Sequence, residues 1–313
     1  MLGTRVVSRF SRDIRAGVYV LAVACALLLP SLLQARSPSC RRIVSLAPSL
    51  TELVQVLALE EHLVGVSSFD HELRERLPVV GNLHAVNVEA IISLRPTQVL
   101  LLREQIRFAD QLAALTIPVL SVDHSSVTAI RDSLTQLGEK CGREARTEEY
   151  FREIDVRMAE LRNRVRSESG RLQSTVRALV VVGNPLESSK GVGQLHVSGR
   201  DGYYAEILAD LGVPTAYGGP TRGLSAFSLE GFIALKPTHI FHIFPPQTNT
   251  PSLLELRRRW QEEFPMIPAV QNGAISGSSK KFFSIPGIHY PNVAEVFAEF
   301  FIGYEGRDES LGK

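Results

Sequence analysis

The feature that most constrains the fold of this chain is a segment that occurs twice, 141 residues apart. Residues 88–100 read VEAIISLRPTQVL and residues 229–241 read LEGFIALKPTHIF. Five of the thirteen positions are identical, and a basic residue precedes the proline in both copies. Each copy predicts a short helix, a break at the proline and a buried strand. A chain with this unit in each half is predicted to be a duplicated, two-lobed protein.

The surrounding patterns agree with a duplication. Short apolar runs alternate with segments of helical periodicity, which predicts α/β lobes with mainly parallel, Rossmann-like sheets. The lobes are predicted over residues 41–142 and 175–304, with a tail at 305–313. The predicted strands of the first lobe are 42–46, 63–66, 98–102 and 118–122, and those of the second are 176–182, 239–243 and 274–277.

Between the lobes, residues 143–170 predict one long connecting helix. No proline or glycine occurs from Arg143 to Ser169, and Gly170 follows as a stop signal. Apolar residues recur at spacings of three and four along one stripe, at Phe151, Ile154, Met158, Leu161 and Val165. A coiled coil would need more heptads. We therefore expect a stiff helix that joins the two lobes.

The first 35 residues have the layout of a secretory signal. Four arginines precede the uncharged apolar run Gly17 to Leu33, and a small residue, Ala35, follows. This predicts export, with the mature protein in the periplasm. The run is at the lower limit for crossing a bilayer, so an uncleaved membrane anchor is the alternative.

Composition excludes several classes of protein. The chain has 313 residues, 44% of them hydrophobic and 21% charged, which is typical of a globular protein. The formal net charge is +1 without a concentrated basic face, so we expect no nucleic-acid partner. Three cysteines are too few for a disulfide scaffold or a four-cysteine zinc site. Cys40 and Cys141 are predicted at the same sheet edge, where either a disulfide or two unpaired thiols is consistent with the sequence.

Three segments carry a resemblance to a known family. They read RRIVSLAPSLTELVQVLALEEHLVGVSSFD, then LPVVGN, then NVEAIISLRPTQVLLL. In order and spacing they resemble periplasmic binding proteins for ferric-siderophores, haem and cobalamin, and the pattern is most similar to cobalamin-binding proteins of ABC importers. The resemblance covers about residues 41–303. It implies a class III binding protein: two lobes joined by a helix, a metal chelate held between them, no cofactor of its own, and a monomer that docks on an ABC permease dimer in the inner membrane.

The resemblance also implies that one surface acid on each lobe meets arginines of the permease. Alignment of the two repeat copies places these acids at Glu89 and Glu230. Each acid also lies where it would complement a helix N-terminus, which is the purely structural explanation.

Ligands of α/β sheets bind outside the carboxyl ends of the strands, and the candidate contacts are residues that follow those ends. Phe69 matches an aromatic contact of the cobalamin proteins, whereas Leu83 replaces an aromatic residue there and Ser279 occupies a position where an acid can contact the ligand. Arginines would suit an anionic chelate because guanidinium groups bind carboxylates well. The predicted ligand contacts are Phe69, Asp70, Leu83, His84, Arg103, Arg200, Arg222, Phe244, His289 and Tyr290.

Other functions have weaker support in the sequence. A segment at 191–196 begins like a dinucleotide-binding loop, but His196 occupies the third glycine position. The chain has no Walker A lysine and no Gly-x-Ser-x-Gly motif. We therefore expect a binding protein and not an enzyme. The alternatives are a periplasmic enzyme or assembly factor on the same two-lobed frame, and a direct receptor for a transition metal that uses His71, His84, His196 and His289.

Overall fold

The first lobe is built on a four-stranded parallel sheet. In the computed structural model, which describes residues 40–168, 176–183, 195–219, 224–245 and 251–303, the strand order is β2-β1-β3-β4. These strands are β1 Ile43–Ser45, β2 Leu63–Gly65, β3 Gln98–Leu102 and β4 Val119–Val122. Helices α1 Pro48–Val56, α2 Val88–Ser93, α3 Ile106–Ala114 and α4 Val127–Cys141 alternate with them. The predicted signal and tail lie outside the described residues.

The second lobe has a five-stranded mixed sheet in the order β7-β6-β5-β8-β9. Its parallel part consists of β5 Ala178–Val182, β8 His239–Ile243 and β9 Ile275–Ser278. Two antiparallel strands, β6 Leu195–Ser198 and β7 Leu224–Phe227, extend one side and were not predicted. The helices, after the connecting α5, are α6 Tyr203–Asp210, α7 Leu229–Ala234, α8 Leu253–Glu263, α9 Pro268–Gln271, α10 Lys281–Ser284 and α11 Tyr290–Gly303.

A single helix, α5 Glu144–Glu168, connects the two lobes as predicted. The stripe residues from Ile154 to Val165 are buried, and α5 packs chiefly against α11. The Arg157 guanidinium strengthens this packing by donating to Asn292 Oδ1 at 2.9 Å and by pairing with Glu295. The expected architecture of two α/β lobes joined by one long helix is confirmed, and residues 169–170 of the predicted helix lie outside the described ranges. In the described part of the chain, no helix has both the length and the apolarity needed to cross a bilayer.

The duplication extends to individual hydrogen bonds. In each lobe an arginine just before the first strand donates its backbone N–H to the repeat threonine, and its guanidinium donates to the carbonyl of the leucine that follows the repeat helix. These residues are Arg42, Thr97 and Leu94 in the first lobe and Arg177, Thr238 and Leu235 in the second. The basic residues Arg95 and Lys236 have φ angles of 47° and 45°, a left-handed conformation that is uncommon for such side chains. The two copies therefore share a backbone design that the sequence match alone did not reveal.

Cys40 and Cys141 form a disulfide with a Cα–Cα distance of 5.3 Å. Both residues are buried. The bond joins a residue just before β1 to the last residue of α4, which two residues separate from the start of α5. Of the two alternatives that the sequence left open, the structure has the disulfide.

Candidate functional site

The loop after β2 presents an aromatic side chain at the carboxyl edge of the first sheet, where ligands of α/β sheets bind. The backbone holds this loop against the next segment, because the Ser68 N–H donates to the Gly81 carbonyl at 2.7 Å. The Ser67 side chain accepts from the Phe69 N–H at 3.2 Å, which tightens the turn. Phe69 is 40% exposed, which is unusual for a phenylalanine. Its ring is therefore accessible to a bound molecule, and its role as a ligand contact stays a prediction.

Asp70, the next residue, is buried within the same loop. It is only 6% exposed, and its Oδ2 accepts the Ser67 N–H at 3.1 Å. Burial raises the pKa of this carboxyl group. The Asp70 carboxyl group therefore faces inward and shapes the loop that carries Phe69, and its contact with a ligand stays a prediction.

A carboxyl group that sequence analysis missed lies where the two lobes meet. Glu52 on α1 faces Gly287 of the second lobe so closely that a Cβ at position 287 would lie 2.5 Å from Glu52 Oε2. Burial raises the pKa of Glu52 to about 7. The Lys281 ammonium group lowers this pKa, whereas the carboxylates of Asp70 and Glu72 raise it further. Lys281 Nζ also lies 3.8 Å from Glu72 Oε1. The contact between the lobes therefore holds an acid whose pKa is raised to about 7.

His124, in the loop after β4, is a second missed residue at this junction. It is 6% exposed, and its ring lies against the Pro286 backbone of the second lobe. Burial lowers its pKa to about 4, so the ring is neutral at physiological pH. Neither ring nitrogen has a hydrogen-bond partner of good geometry among the described residues. The loop around Pro286 thus lies between Glu52 and His124. Sequence analysis missed both residues because their neighbours come from the other lobe.

Several predicted contacts stay predictions because the structure leaves them accessible. Arg103 is exposed, and its Nη1 lies 3.1 Å from Asp123 Oδ2, which partly neutralises its charge. His84 is exposed and Leu83 is half-buried in the segment before α2. Arg200 is exposed at the turn after β6. His289 is half-buried, and burial lowers its pKa. Arg222 lies outside the described residues.

Two aromatic residues of the second lobe that were predicted as ligand contacts, Phe244 and Tyr290, are buried in the structure. Phe244 is completely buried and stacks on His242 with ring centroids 4.1 Å apart, so its ring belongs to the core of the lobe. Tyr290 is 3% exposed, and its hydroxyl accepts from Arg131 Nη1 at 3.0 Å. Phe244 directly follows β8 and Tyr290 begins α11, as expected for residues near the carboxyl edge of the sheet. Neither ring is exposed to solvent, however.

Tyr290 instead lines a cavity of about 550 Å³ between α4, α5, α6 and the start of α11. Polar contacts bridge the lobes around this cavity. Thr128 of the first lobe donates its N–H to Glu206 of the second at 3.0 Å, and Arg162 of α5 binds the Asp210 carbonyl at 2.9 Å. The lobes are therefore braced on the side of the connecting helix.

The two acids identified from the repeat are equivalent in the structure. Glu89 and Glu230 are both exposed in the first turns of α2 and α7. Each helix is capped by the side chain of the residue two positions earlier, Asn87 or Ser228, which accepts a backbone N–H. Since both helices lead back to the start of a parallel strand, their N-termini lie at the edge of the sheet that bears the cleft. Their role in docking stays a prediction.

No group of three or more His, Cys, Asp or Glu side chains in the described ranges is arranged to hold a metal ion.

Comparison with known proteins gives one family and one fold. The family described as "Periplasmic binding protein" matches residues 43–277. A vitamin B12-binding protein of Yersinia pestis (strain Pestoides F) is 36% identical over 127 residues, which are 39% of this chain and 45% of that protein. The chain thus matches less than half the length of this curated relative.

Solved structures share the architecture at low sequence identity. A periplasmic heme-binding protein of Pseudomonas aeruginosa has a TM-score of 0.67 and 20% identity, covering 86% of this chain and 95% of that one. A periplasmic vitamin B12-binding protein of Vibrio cholerae has a TM-score of 0.64 and 19% identity, covering 83% and 96%. These likenesses show a common two-lobed fold.

Proposed function

Since the chain belongs to the periplasmic binding protein family, we propose that it is the substrate-binding component of an ABC importer. It captures a metal chelate of the ferric-siderophore or cobalamin type between its lobes. It then delivers the chelate to a permease in the inner membrane. The protein acts in the periplasm after export and has no catalytic role.

The observation that carries this proposal is the cleft between two braced lobes, with an exposed phenylalanine on the loop after β2. Ligands of open α/β sheets bind at this edge, outside the carboxyl ends of the strands. An exposed aromatic ring can pack against the flat, largely apolar body of a macrocyclic or aromatic chelate. Phe69 is 40% exposed at this position. The match to vitamin B12-binding proteins supports the same ligand class.

Charged groups around the cleft fit a ligand that also carries acidic substituents. The exposed side chains of Lys280 and Lys281 follow β9, and Arg103 follows β3. Guanidinium and ammonium groups bind the carboxylates that many chelates carry. The ligand contacts proposed are therefore Phe69 and Arg103 from the first lobe and the region from Lys280 to His289 of the second.

Delivery requires a docking surface, which we assign to Glu89 and Glu230. A carboxylate that faces an arginine can form charge-assisted, bidentate hydrogen bonds. Charges at the rim of an interface mainly set its association rate and register. Two equivalent acids, one on each lobe, suit a permease that presents two equivalent halves.

A ligand screen by thermal unfolding tests the proposal. A molecule that binds only the folded state at one hundred times its Kd stabilises that state by about 2.7 kcal/mol, which raises the Tm of a protein of this size by roughly 5 °C or more. We expect such a shift with cobalamin, haem, ferric citrate or a ferric-siderophore. Simple zinc and manganese salts are included to test a direct metal receptor.

A pair of variants links the shift to the cleft. Phe69→Ala should reduce the shift, whereas Val156→Ala, which truncates an even more exposed apolar side chain on α5, should leave it unchanged. A screen in which every chelate leaves the Tm unchanged would contradict the proposal. Chemical conversion of a chelate by the isolated protein would favour the enzyme instead.

A further inference from the structure

Residues 281–289, from the start of α10 to the residue before α11, are a part of the second lobe that lies against the first lobe. We call them the bridging segment. The segment contacts the first lobe at three places, which bring Lys281 to Glu72, Pro286 to His124 and Gly287 to Glu52. It also belongs to the region proposed above to contact the ligand. Its position therefore affects both the contact between the lobes and the side of the second lobe that faces a ligand.

At one of these contacts a carboxyl group lies directly against the backbone of the segment. A Cβ at position 287 would lie 2.5 Å from Glu52 Oε2 and 3.6 Å from the Ser49 Cβ, so glycine lets α1 approach closely. The hydroxyl group of Tyr203, from α6, lies against the Gly287 backbone as well. The bridging segment therefore covers the Glu52 carboxyl group, and full hydration of this group requires the segment to move away.

The charges around Glu52 disfavour its ionisation. Among the described residues, the ionisable groups that act on it are Lys281 of the bridging segment, Asp70 and Glu72 of the loop after β2, Tyr150 of α5 and Tyr203 of α6. Burial raises the pKa of both tyrosines, so both are uncharged at physiological pH. Ionised Glu52 would be a third carboxylate beside one ammonium group, at a site where burial limits hydration.

The contact between the lobes and the ionisation of Glu52 therefore oppose each other. Burial raises the pKa of this carboxyl group from 4.5 to about 7. A contact that raises the pKa of an acid is strongest when the acid is protonated, and it weakens as the pH rises from the lower pKa to the higher one. The contact at Gly287 should thus be weaker at pH 8 than at pH 5.

We propose that Glu52 is a positioning residue for the bridging segment. Its protonated carboxyl group holds the segment against the first lobe, and its ionisation releases the segment. Release moves the ligand contacts of the second lobe away from those of the first, so the affinity for the chelate falls. The effect on ligand affinity rests on the proposed function, whereas the effect on the segment concerns the lobe contact alone.

Hydrogen exchange of the bridging segment at pH 5 and pH 8 tests the first part without a ligand. Exchange rates are corrected for their intrinsic dependence on pH and converted into opening constants. The variant is Glu52→Gln, which is uncharged at both pH values, and the control is Glu60→Gln, which removes an exposed acid shortly after α1. We expect the opening constant to rise roughly tenfold from pH 5 to pH 8 in the wild type and in the control. In Glu52→Gln it should change by less than about twofold.

Titration with cyanocobalamin and with haem at the same two pH values tests the second part. The ratio of the Kd of the wild type to that of Glu52→Gln cancels any ionisation of the ligand itself. We expect this ratio to be near one at pH 5 and to rise to about five at pH 8, because a smaller fraction of the wild type then holds the segment in place.

Constant protection of the wild-type segment between pH 5 and pH 8 would overturn the inference. The same loss of protection in Glu52→Gln would also overturn it and would point to another group, such as His289 of the segment itself. A loss spread evenly over both lobes would show global destabilisation and count against it too. Equal Kd values of the wild type and Glu52→Gln at pH 8 would reject the link to ligand binding. If neither chelate binds at either pH, the proposed function loses its support, and the exchange data still decide whether Glu52 controls the segment.

Discussion

Glu52 is an ionisable residue whose pKa is changed by the contact between the lobes. Its carboxyl group lies against Gly287. The charges of Lys281, Asp70 and Glu72 all act on its pKa. Burial raises its pKa from 4.5 to about 7. Between these two pH values, Glu52 is therefore largely protonated in the folded protein and largely ionised in the unfolded chain. Stability due to this group therefore falls as the pH rises from 4.5 to about 7.

Glu52→Gln should remove that loss, because an amide does not ionise. We expect the variant to gain roughly 1–3 kcal/mol in the free energy of unfolding at pH 8 and to gain little at pH 5, since one pKa unit corresponds to about 1.4 kcal/mol. Urea unfolding at the two pH values measures the difference. Glu60→Gln, an exposed acid shortly after α1, is the control and should show the same small effect at both. A gain for Glu52→Gln that does not depend on pH would show that charge is not its cause.

Phe69 and Asp70 show how far single residues could be assigned from the sequence. Both were predicted from one loop at the correct end of β2, and the structure leaves Phe69 exposed but buries Asp70. The side to which each residue points depends on the hydrogen bond from the Ser67 N–H, a loop geometry that no periodicity encodes. Glu52 and His124 were missed for a related reason, since their surroundings come from the other lobe.

At the scale of helices and strands, a disulfide joins the two ends of the first lobe. The disulfide between Cys40 and Cys141 spans a sequence separation of 101 residues, which includes all four strands and helices α1 to α4. A cross-link that closes a loop of this length restricts the unfolded chain, which corresponds to about 4–5 kcal/mol in the chain-entropy treatment.

The double variant Cys40→Ala with Cys141→Ala should therefore lose roughly 3–5 kcal/mol in the free energy of unfolding. Urea unfolding with and without reductant measures this loss. Reductant should destabilise the wild type and have no effect on the double variant, which controls for general effects of the reagent. Two reactive thiols in the unreduced, denatured wild type would contradict the bond itself.

The parallel strands were predicted well and the antiparallel ones were not. The predicted bounds of β3 and β8 agree with the structure at both ends, because strands buried on both faces form continuous apolar runs. Strands β6 and β7 have four residues each and pair along one side of the sheet. Their sequences, LHVS and LSAF, mix polar and apolar residues, and only the pairing with neighbours makes them strands.

At the scale of the whole molecule, the two lobes carry equivalent exposed acids, Glu89 and Glu230, for which we propose a role in docking. Charge reversal at both positions, Glu89→Arg with Glu230→Arg, should abolish uptake of the chelate by cells, because guanidinium groups would then face the arginines proposed on the permease. Ligand affinity of the purified variant serves as the internal reference and is measured by titration. Exchange of Glu60 and Glu139, exposed acids elsewhere on the first lobe, for arginine controls for the change in net charge. Full uptake by the Glu89 and Glu230 double variant would reject the assignment.

The duplication also has a kinetic consequence. Both lobes start the repeat helix with a capping side chain and an exposed acid, so under the proposed docking each of two identical permease subunits could receive either lobe. The protein could then bind in two orientations related by a half-turn instead of one. This would about double the fraction of random collisions that lead to binding.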